Sequence, residues 1–302
     1  KKVMIKVNNE IDFLNSYAKL KREETSAKIF AITGSAGKTS LKNLIKDLLQ
    51  SYGKTLGSPK SYNNHFGVPL SLSNLSTNHR FGVFEVGMSK PGEISALTKL
   101  IRPHIAIITN IGEAHIENFK NLKGIADAKG EIINHIENGG TLILNYDDKF
   151  YKYLNNKAQT KRIKVISFGM SKKSDVHPIS IKKSKMFSKL IIKAKSQIFH
   201  LKIKDINIYN VLSSLALLVE LNFDVNKVLN FYNNHEPSEG RGKIFKVKRY
   251  NRHFNLIDES YNANPLSVKN AIKNFSSIKK QNFKKYLLLG DMLELGKKSD
   301  FL

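Results

Sequence analysis

Lys28-Ile29-Phe30-Ala31-Ile32-Thr33-Gly34-Ser35-Ala36-Gly37-Lys38-Thr39-Ser40 sets the architecture of this 302-residue chain. Residues 28–32 are a short apolar run that predicts a buried strand, and the run ends in a turn carrying Gly34 and Gly37. Leu41, Leu44, Ile45, Leu48 and Leu49 then recur at the spacing of one helix face, so a strand, a glycine turn and an amphipathic helix follow one another. Backbone N–H groups in such a turn, together with the helix N-terminus, form a concave anion site. Lys38 would add a point charge on the β and γ phosphates of a nucleotide, and the Thr39 hydroxyl would join a Mg²⁺ shell. Gly34, Ser35, Ala36, Gly37, Lys38, Thr39 and Ser40 are therefore the candidate nucleotide-binding residues.

Outward from this unit the strand–helix alternation continues. Strands are predicted at 82–86, 105–109, 141–145 and 164–168, and helices at 91–101 and 122–136, which implies a mostly parallel sheet covered on both faces. Residues 192–195 and 199–203 alternate apolar with polar, as in an antiparallel hairpin, before helical patterns at 209–221 and 225–232. Upstream, 11–18 is helical and 21–26 polar. Pro237, Gly240 and Gly242 punctuate residues 235–242, a boundary beyond which strands at 244–247, 254–257 and 286–289 and a helix at 265–278 are predicted. The expected organisation is a lead-in at 1–27, a central domain at 28–238 and a thin unit at 239–302.

Composition bounds the function without naming it. There is no cysteine, which excludes disulfides and thiolate metal sites. No run approaches the ~18 apolar residues of a membrane span, and polar residues interrupt the basic start before a signal-peptide core could form, so a cytoplasmic protein without membrane insertion is expected. Fifty Lys and Arg against 25 Asp and Glu give a formal charge of +25. The lysines are spread over every segment and do not gather with aromatic residues. This favours a solvated surface over a basic nucleic-acid-binding protein built on an inactive nucleotide fold, which would show steeply salt-dependent binding.

Three further residues stand near predicted strand ends, where open α/β sheets bind ligands, or on a helix close by. Glu85 ends an apolar strand and is either a metal-binding carboxylate or a surface cap. His115 follows the strand at 105–109. By residue type alone it is one histidine among nine, and Lys129 is a solvated helix lysine.

In order along the chain, residues 31–39, 61–69 (Ser-Tyr-Asn-Asn-His-Phe-Gly-Val-Pro), 84–88, 110–115, 128–132, 258–265 and 289–296 (Leu-Gly-Asp-Met-Leu-Glu-Leu-Gly) resemble segments of the Mur ligases. Within them they resemble the branch that adds D-alanyl-D-alanine. The resemblance implies a P-loop central ATPase domain with a partial Rossmann-like C-terminal domain. Residues 1–27 would be a linker or the remnant of a UDP-sugar-binding domain, and the chain one piece of a longer enzyme acting as a monomer. It implies an ATP- and Mg²⁺-dependent ligase joining UDP-N-acetylmuramoyl-tripeptide to D-alanyl-D-alanine through an acyl phosphate. The resemblance leaves other Mur or folylpolyglutamate-type ligases as the alternative.

On this resemblance, Lys38, His115 and Lys129 are the catalytic candidates, and Thr39, Glu85, His115 and Lys129 the metal-binding ones. Lys129 matches a lysine that the family carbamylates. Asn207, Arg241 and Asp258 match nucleotide-contacting positions, although Ile206 stands where the family has histidine. Tyr62, Asn63, Asn64, Asn262 and Asn264 are substrate candidates. The asparagines at 262 and 264 equally suit a turn leading into Pro265 at a helix start.

Overall fold

The computed structural model describes residues 6–184, 187–204, 206–278 and 284–296. The basic start at 1–5 and the last residues of the C-terminal unit, 297–302, lie outside these. In chain order the first elements are α1 (Glu10–Glu24), β1 (Lys28–Thr33), α2 (Lys38–Gln50), β2 (Thr55–Gly57), α3 (Gly67–Ser73) and β3 (Phe81–Glu85). Then come α4 (Glu93–Ile101), β4 (Ile105–Ile108), α5 (Leu122–Lys129), β5 (Thr141–Asn145), α6 (Tyr151–Thr160) and β6 (Lys164–Phe168). The strands β7 (Val176–Lys183), β8 (Ser188–Ala194) and β9 (Gln197–Ile203) precede α7 (Ile208–Glu220) and α8 (Leu229–Asn234). Last are β10 (Lys243–Arg249), β11 (Arg252–Asp258) and α9 (Pro265–Ser277).

Nine strands form one sheet in the order β2-β3-β1-β4-β5-β6-β7-β8-β9. Pairing is parallel from β2 through β7 and antiparallel for β7–β8 and β8–β9. The alternation of side chains along β1 divides the core. Phe30 and Ile32 join the cluster that holds Leu44, Leu48 and the buried residues of α7, whereas Ile29 and Ala31 join the cluster under α4, α5 and α6. Helix α7 is apolar on nearly every side because it is the layer's centre, with Val211 through Leu218 all buried. On the other side, α1 is fixed by Arg22, whose guanidinium donates to the carbonyls of Ile101 (2.7 Å) and Arg102 (2.8 Å). That contact satisfies orphan acceptors at the end of α4. Among the described residues no helix is long and apolar enough to cross a membrane.

The chain leaves β1 toward β3 on one side and returns to β4 on the other, so the strand order reverses at β1. Register places Ile32 beside Glu85 and Thr33 beside Ile108. The carboxyl ends of β1, β3 and β4 thus open onto one crevice, the usual ligand position in such sheets.

Several expectations are corrected. The helix predicted at 122–136 is α5 followed by a 3₁₀ stretch at Gly130–His135, since Gly130 interrupts it. The strand predicted at 286–289 is irregular, with Tyr286 76% and Leu288 91% exposed. β10 and β11 pair with each other alone among the described residues, so 286–289 has no ladder to join. Four elements gave no usable pattern in the sequence. β2 has only three residues; β7 contains Pro178 with a register shift beside it; α3 opens with Gly67 and Pro69; α6 buries only Leu154 and Ala158.

Candidate functional site

The turn after β1 requires its glycines. Gly34 has φ +145°, and a Cβ there would stand 1.9 Å from Thr109 Oγ1 at the end of β4. Gly37 caps α2 with φ +82°. Asn110 grips the turn from the β4 side: Ser35 N donates to Asn110 O (3.0 Å), Ala36 N to Asn110 Oδ1 (2.9 Å), and Asn110 Nδ2 to Ala36 O (3.1 Å). Ser35 and Gly112 also exchange hydrogen bonds at 2.9 and 2.8 Å. The loop is therefore held rigidly from its neighbour strand, and its helix end is left to face a ligand. Ser40, in the first turn of α2, is half-buried.

Thr39 and Glu85 are in direct contact. Thr39 Oγ1 donates to Glu85 Oε2 at 2.7 Å, and Asn63 Nδ2 donates to Glu85 Oε1 at 2.7 Å. Ser61 Oγ lies 3.2 Å from Thr39 Oγ1 and 3.4 Å from Arg241 Nη2. Glu85 is 1% exposed, and its N–H is bound to Ser58 Oγ (3.2 Å). Hydroxyl and carboxylate oxygens belong to the donor set of a hard divalent cation, and Mg²⁺ fits them. Among the described residues no three His, Cys, Asp or Glu side chains converge as a metal nest. A cation here would take its remaining oxygens from phosphate and water.

Cations crowd around this carboxylate. Lys38 donates from Nζ to Gly34 O (2.8 Å). Burial pushes its pKa down; Glu85 opposes the shift and Arg241 adds to it. Lys129, 1% exposed at the end of α5, is held well below its usual value by burial, with the Lys38 charge adding to the effect. The same two lysines act on His115, whose pKa is lowered by burial foremost and raised by Glu294. The Arg241 guanidinium packs over the Tyr261 ring at 4.3 Å. Excess positive charge around one carboxylate is an environment for a polyanion.

Other candidates occupy supporting positions. Both oxygens of Asp258 are engaged, one by Gly240 N (2.9 Å) and the other by Ser260 N (3.0 Å) and Oγ (2.6 Å). Asp258 thus shapes the backbone that presents Arg241. Asn264 caps α9 and donates from Nδ2 to Ser35 O at 3.2 Å, and Leu266 packs over Gly112. Asn207 caps α7 through Tyr209 N (2.8 Å), and Asn64 Oδ1 accepts from Gly67 N (2.9 Å) just ahead of α3. Tyr62 is 40% exposed, and Asn262 is exposed with its Oδ1 turned back to Ala263 N.

Sequence reasoning assigned no role to Lys42, Ser58, Ser61, Asn110, Asn210 or Glu294. Asn210 is buried beside Gly37, its Oδ1 3.5 Å from where a Cβ would stand. Lys42 had a visible signal: it follows Lys38 by one helical turn and lies among the apolar positions of α2. It is 1% exposed and donates to the carbonyls of Ser58 (2.6 Å) and Lys60 (2.7 Å), which holds the loop bearing Ser58 and Ser61. Burial pushes its pKa down from 10.5 to about 8. Between those values the unfolded chain keeps a proton that the folded chain has released, so this residue's contribution to stability rises with pH across that window. Chemical denaturation of Lys42→Met, compared with wild type from pH 7.5 to 10.5, should show that increment missing from the variant (window from the two values above). Parallel pH profiles would contradict it.

A family model described as "Mur ligase middle domain" matches residues 32–218. A UDP-N-acetylmuramoyl-tripeptide--D-alanyl-D-alanine ligase from Buchnera aphidicola subsp. Baizongia pistaciae is 32% identical over 294 residues, covering 96% of this chain and 62% of the relative. An enzyme of the same name from Rickettsia prowazekii is 33% identical over 297 residues, covering 97% of this chain and 65% of the relative. A crystal structure of MurF from Acinetobacter baumannii superposes with a TM-score of 0.87 at 29% identity, covering 97% of this chain and 63% of that one. The chain thus spans less than two thirds of the length of these relatives. The matched residues run from the end of β1 into α7 and so carry the glycine turn, Glu85, His115 and Lys129 together. With this fold and this match, the chain belongs to the Mur ligase family.

Proposed function

We propose that this chain carries the nucleotide site and part of the ligation machinery of an enzyme that joins UDP-N-acetylmuramoyl-tripeptide to D-alanyl-D-alanine at the expense of ATP, in building the peptidoglycan precursor. The observation that carries the reading is the 2.7 Å contact between Thr39 and Glu85 at the mouth of the loop bearing Lys38. The substrate class follows the names of the relatives that match nearly the whole chain.

In this reading the loop amides, Lys38 and Arg241 bind the phosphates, and Arg241 reaches them from the second unit, the division falling near residues 235–242. Its planar fork suits a phosphoryl group whose geometry changes as it transfers. Thr39 and Glu85 would hold one Mg²⁺, and His115 with a carbamylated Lys129 a second, which when bound would supply positive charge against the transferring phosphoryl group. The low pKa of Lys129 supports the modification, because only the neutral amine attacks CO₂. The nitrogen–carbon bond forms as a proton leaves, and a cation becomes an oxygen donor. Asn207 and Asn210 flank the nucleotide, and Asn63, Tyr62, Asn64, Asn262 and Asn264 line the approach of the acceptor.

The tripeptide carboxylate attacks the γ-phosphorus as the bond to ADP breaks. The dipeptide amine then attacks the acyl carbon, loses a proton, and phosphate departs. Monomeric action in the cytoplasm completes the proposal.

Incubation of the full protein with ATP, Mg²⁺ and UDP-N-acetylmuramoyl-tripeptide tests it. Stoichiometric ADP and amide product with D-alanyl-D-alanine, and none with free L-amino acids, is the expected result. Product with an L-amino acid alone would assign the chain to another branch.

A further inference from the structure

The segment at 290–296 lies against the loop that carries His115. Glu117 N donates to Glu294 O at 3.4 Å, Leu295 is buried, and Gly296 packs against the Glu117 side chain. At the centre of this contact Glu294 Oε2 lies 2.5 Å from His115 Nδ1, a charge contact off the angle of a hydrogen bond, so that a turn of the imidazole is needed to aim Nδ1 at the carboxylate. His115 and Glu294 both adopt left-handed backbones, with φ of 55° and 64°. Such conformations persist in non-glycine residues where surrounding contacts over-determine them. The charges of Lys38 and Lys129 act on the same imidazole.

A histidine that serves a metal ordinarily gives its other ring N–H to a carboxylate, which fixes tautomer and ring orientation. We propose that Glu294 is a positioning residue of this kind: it accepts from His115 Nδ1–H and leaves Nε2 as the donor to a divalent cation. The carboxylate belongs to the C-terminal unit and the imidazole to the sheet. Docking of one on the other therefore completes a metal ligand, and metal affinity at His115 depends on where the 290–296 segment sits. This inference rests on the functional reading given above and adds to it a residue from a different part of the chain.

The test uses the full protein and its Glu294→Ala and Glu294→Gln variants. Long-range ¹⁵N–¹H correlation spectra, with the His115 ring assigned by its loss in His115→Asn, should show the Nδ1–H tautomer in wild type. The glutamine amide oxygen can still accept, so Glu294→Gln should retain that tautomer, whereas Glu294→Ala should lose it. Titration with Mn²⁺ in the presence of ADP should broaden the His115 ring signals. About 10- to 100-fold more Mn²⁺ should be needed in Glu294→Ala than in wild type, with Glu294→Gln between them. Unchanged thermal midpoints in both variants show that folding is not what is being read, since Glu294 is half exposed. An Nε2–H tautomer in wild type, or equal Mn²⁺ sensitivity in wild type and Glu294→Ala, overturns the orientation proposal alone. Failure of Mn²⁺ with ADP to broaden His115 in wild type overturns the metal-site reading itself and this inference with it.

Discussion

Glu85→Gln should lower ATP-dependent turnover by about 10³-fold while leaving the fold in place, a loss of the size seen when one preorganised charge-stabilising group is removed. The substitution preserves shape and one acceptor for Asn63, and lets the Thr39 hydroxyl turn to accept from the new amide, but removes the Glu85 charge from the site. Glu85 raises the pKa of both Lys38 and Lys42, so its loss also leaves the half-buried Lys38 and the buried Lys42 less well balanced. Two consequences separate the electrostatic account from a packing account. The Mg²⁺ concentration needed for half-maximal turnover should rise, and excess Mg²⁺ should recover part of the lost rate. A variant that loses activity with an unchanged Mg²⁺ requirement would show that Glu85 is not a metal-facing group.

Gly34→Ala should destabilise the protein by about 3 kcal/mol, combining left-handed strain with overpacking. The added methyl would lie 1.9 Å from Thr109 Oγ1 and 3.1 Å from Thr109 N. The hydroxyl cannot simply turn away, because it donates to Ala36 O at 2.7 Å; nor can the backbone, because Thr109 N donates to Thr33 O at 3.0 Å. For a chain of this size the thermal midpoint should fall by about 5 °C. An Ala36→Gly control, in the same turn but without a contact of this kind, should be much milder. A midpoint for Gly34→Ala within about 2 °C of wild type would mean that β1 and β4 do not approach as described.

The parts of this molecule legible in its sequence are those where one local pattern suffices. Residues 28–49 contain a buried strand, a glycine turn and a helix face, each with its own periodicity, and the structure places Thr39 and Lys38 at that helix start. A carboxylate ending an apolar strand made Glu85 conspicuous, but by residue type alone a surface cap suited it equally, and it is the burial of its side chain that excludes the cap. Asn110, Ser61 and Asn210 were not legible, since an asparagine or serine in a loop or the first turn of a helix has the same local signature whether it packs on the glycine turn or faces water. Only the pairing of β4 with β1 brings Asn110 to Ala36. Glu294 is farther still from legibility: its meeting with His115 joins residues 179 positions apart (294 minus 115). At 286–289 an apolar run was read as a strand, yet strand formation depends on a neighbour that the run itself does not encode.

The most direct test of the account is calorimetric titration of ATP into the wild-type protein and Lys38→Ala, each with and without Mg²⁺. The site described here predicts binding that requires Mg²⁺ in wild type and disappears in Lys38→Ala. Binding of equal strength in both proteins, or binding indifferent to Mg²⁺, would contradict the assignment of the crevice at β1, β3 and β4 as a nucleotide site.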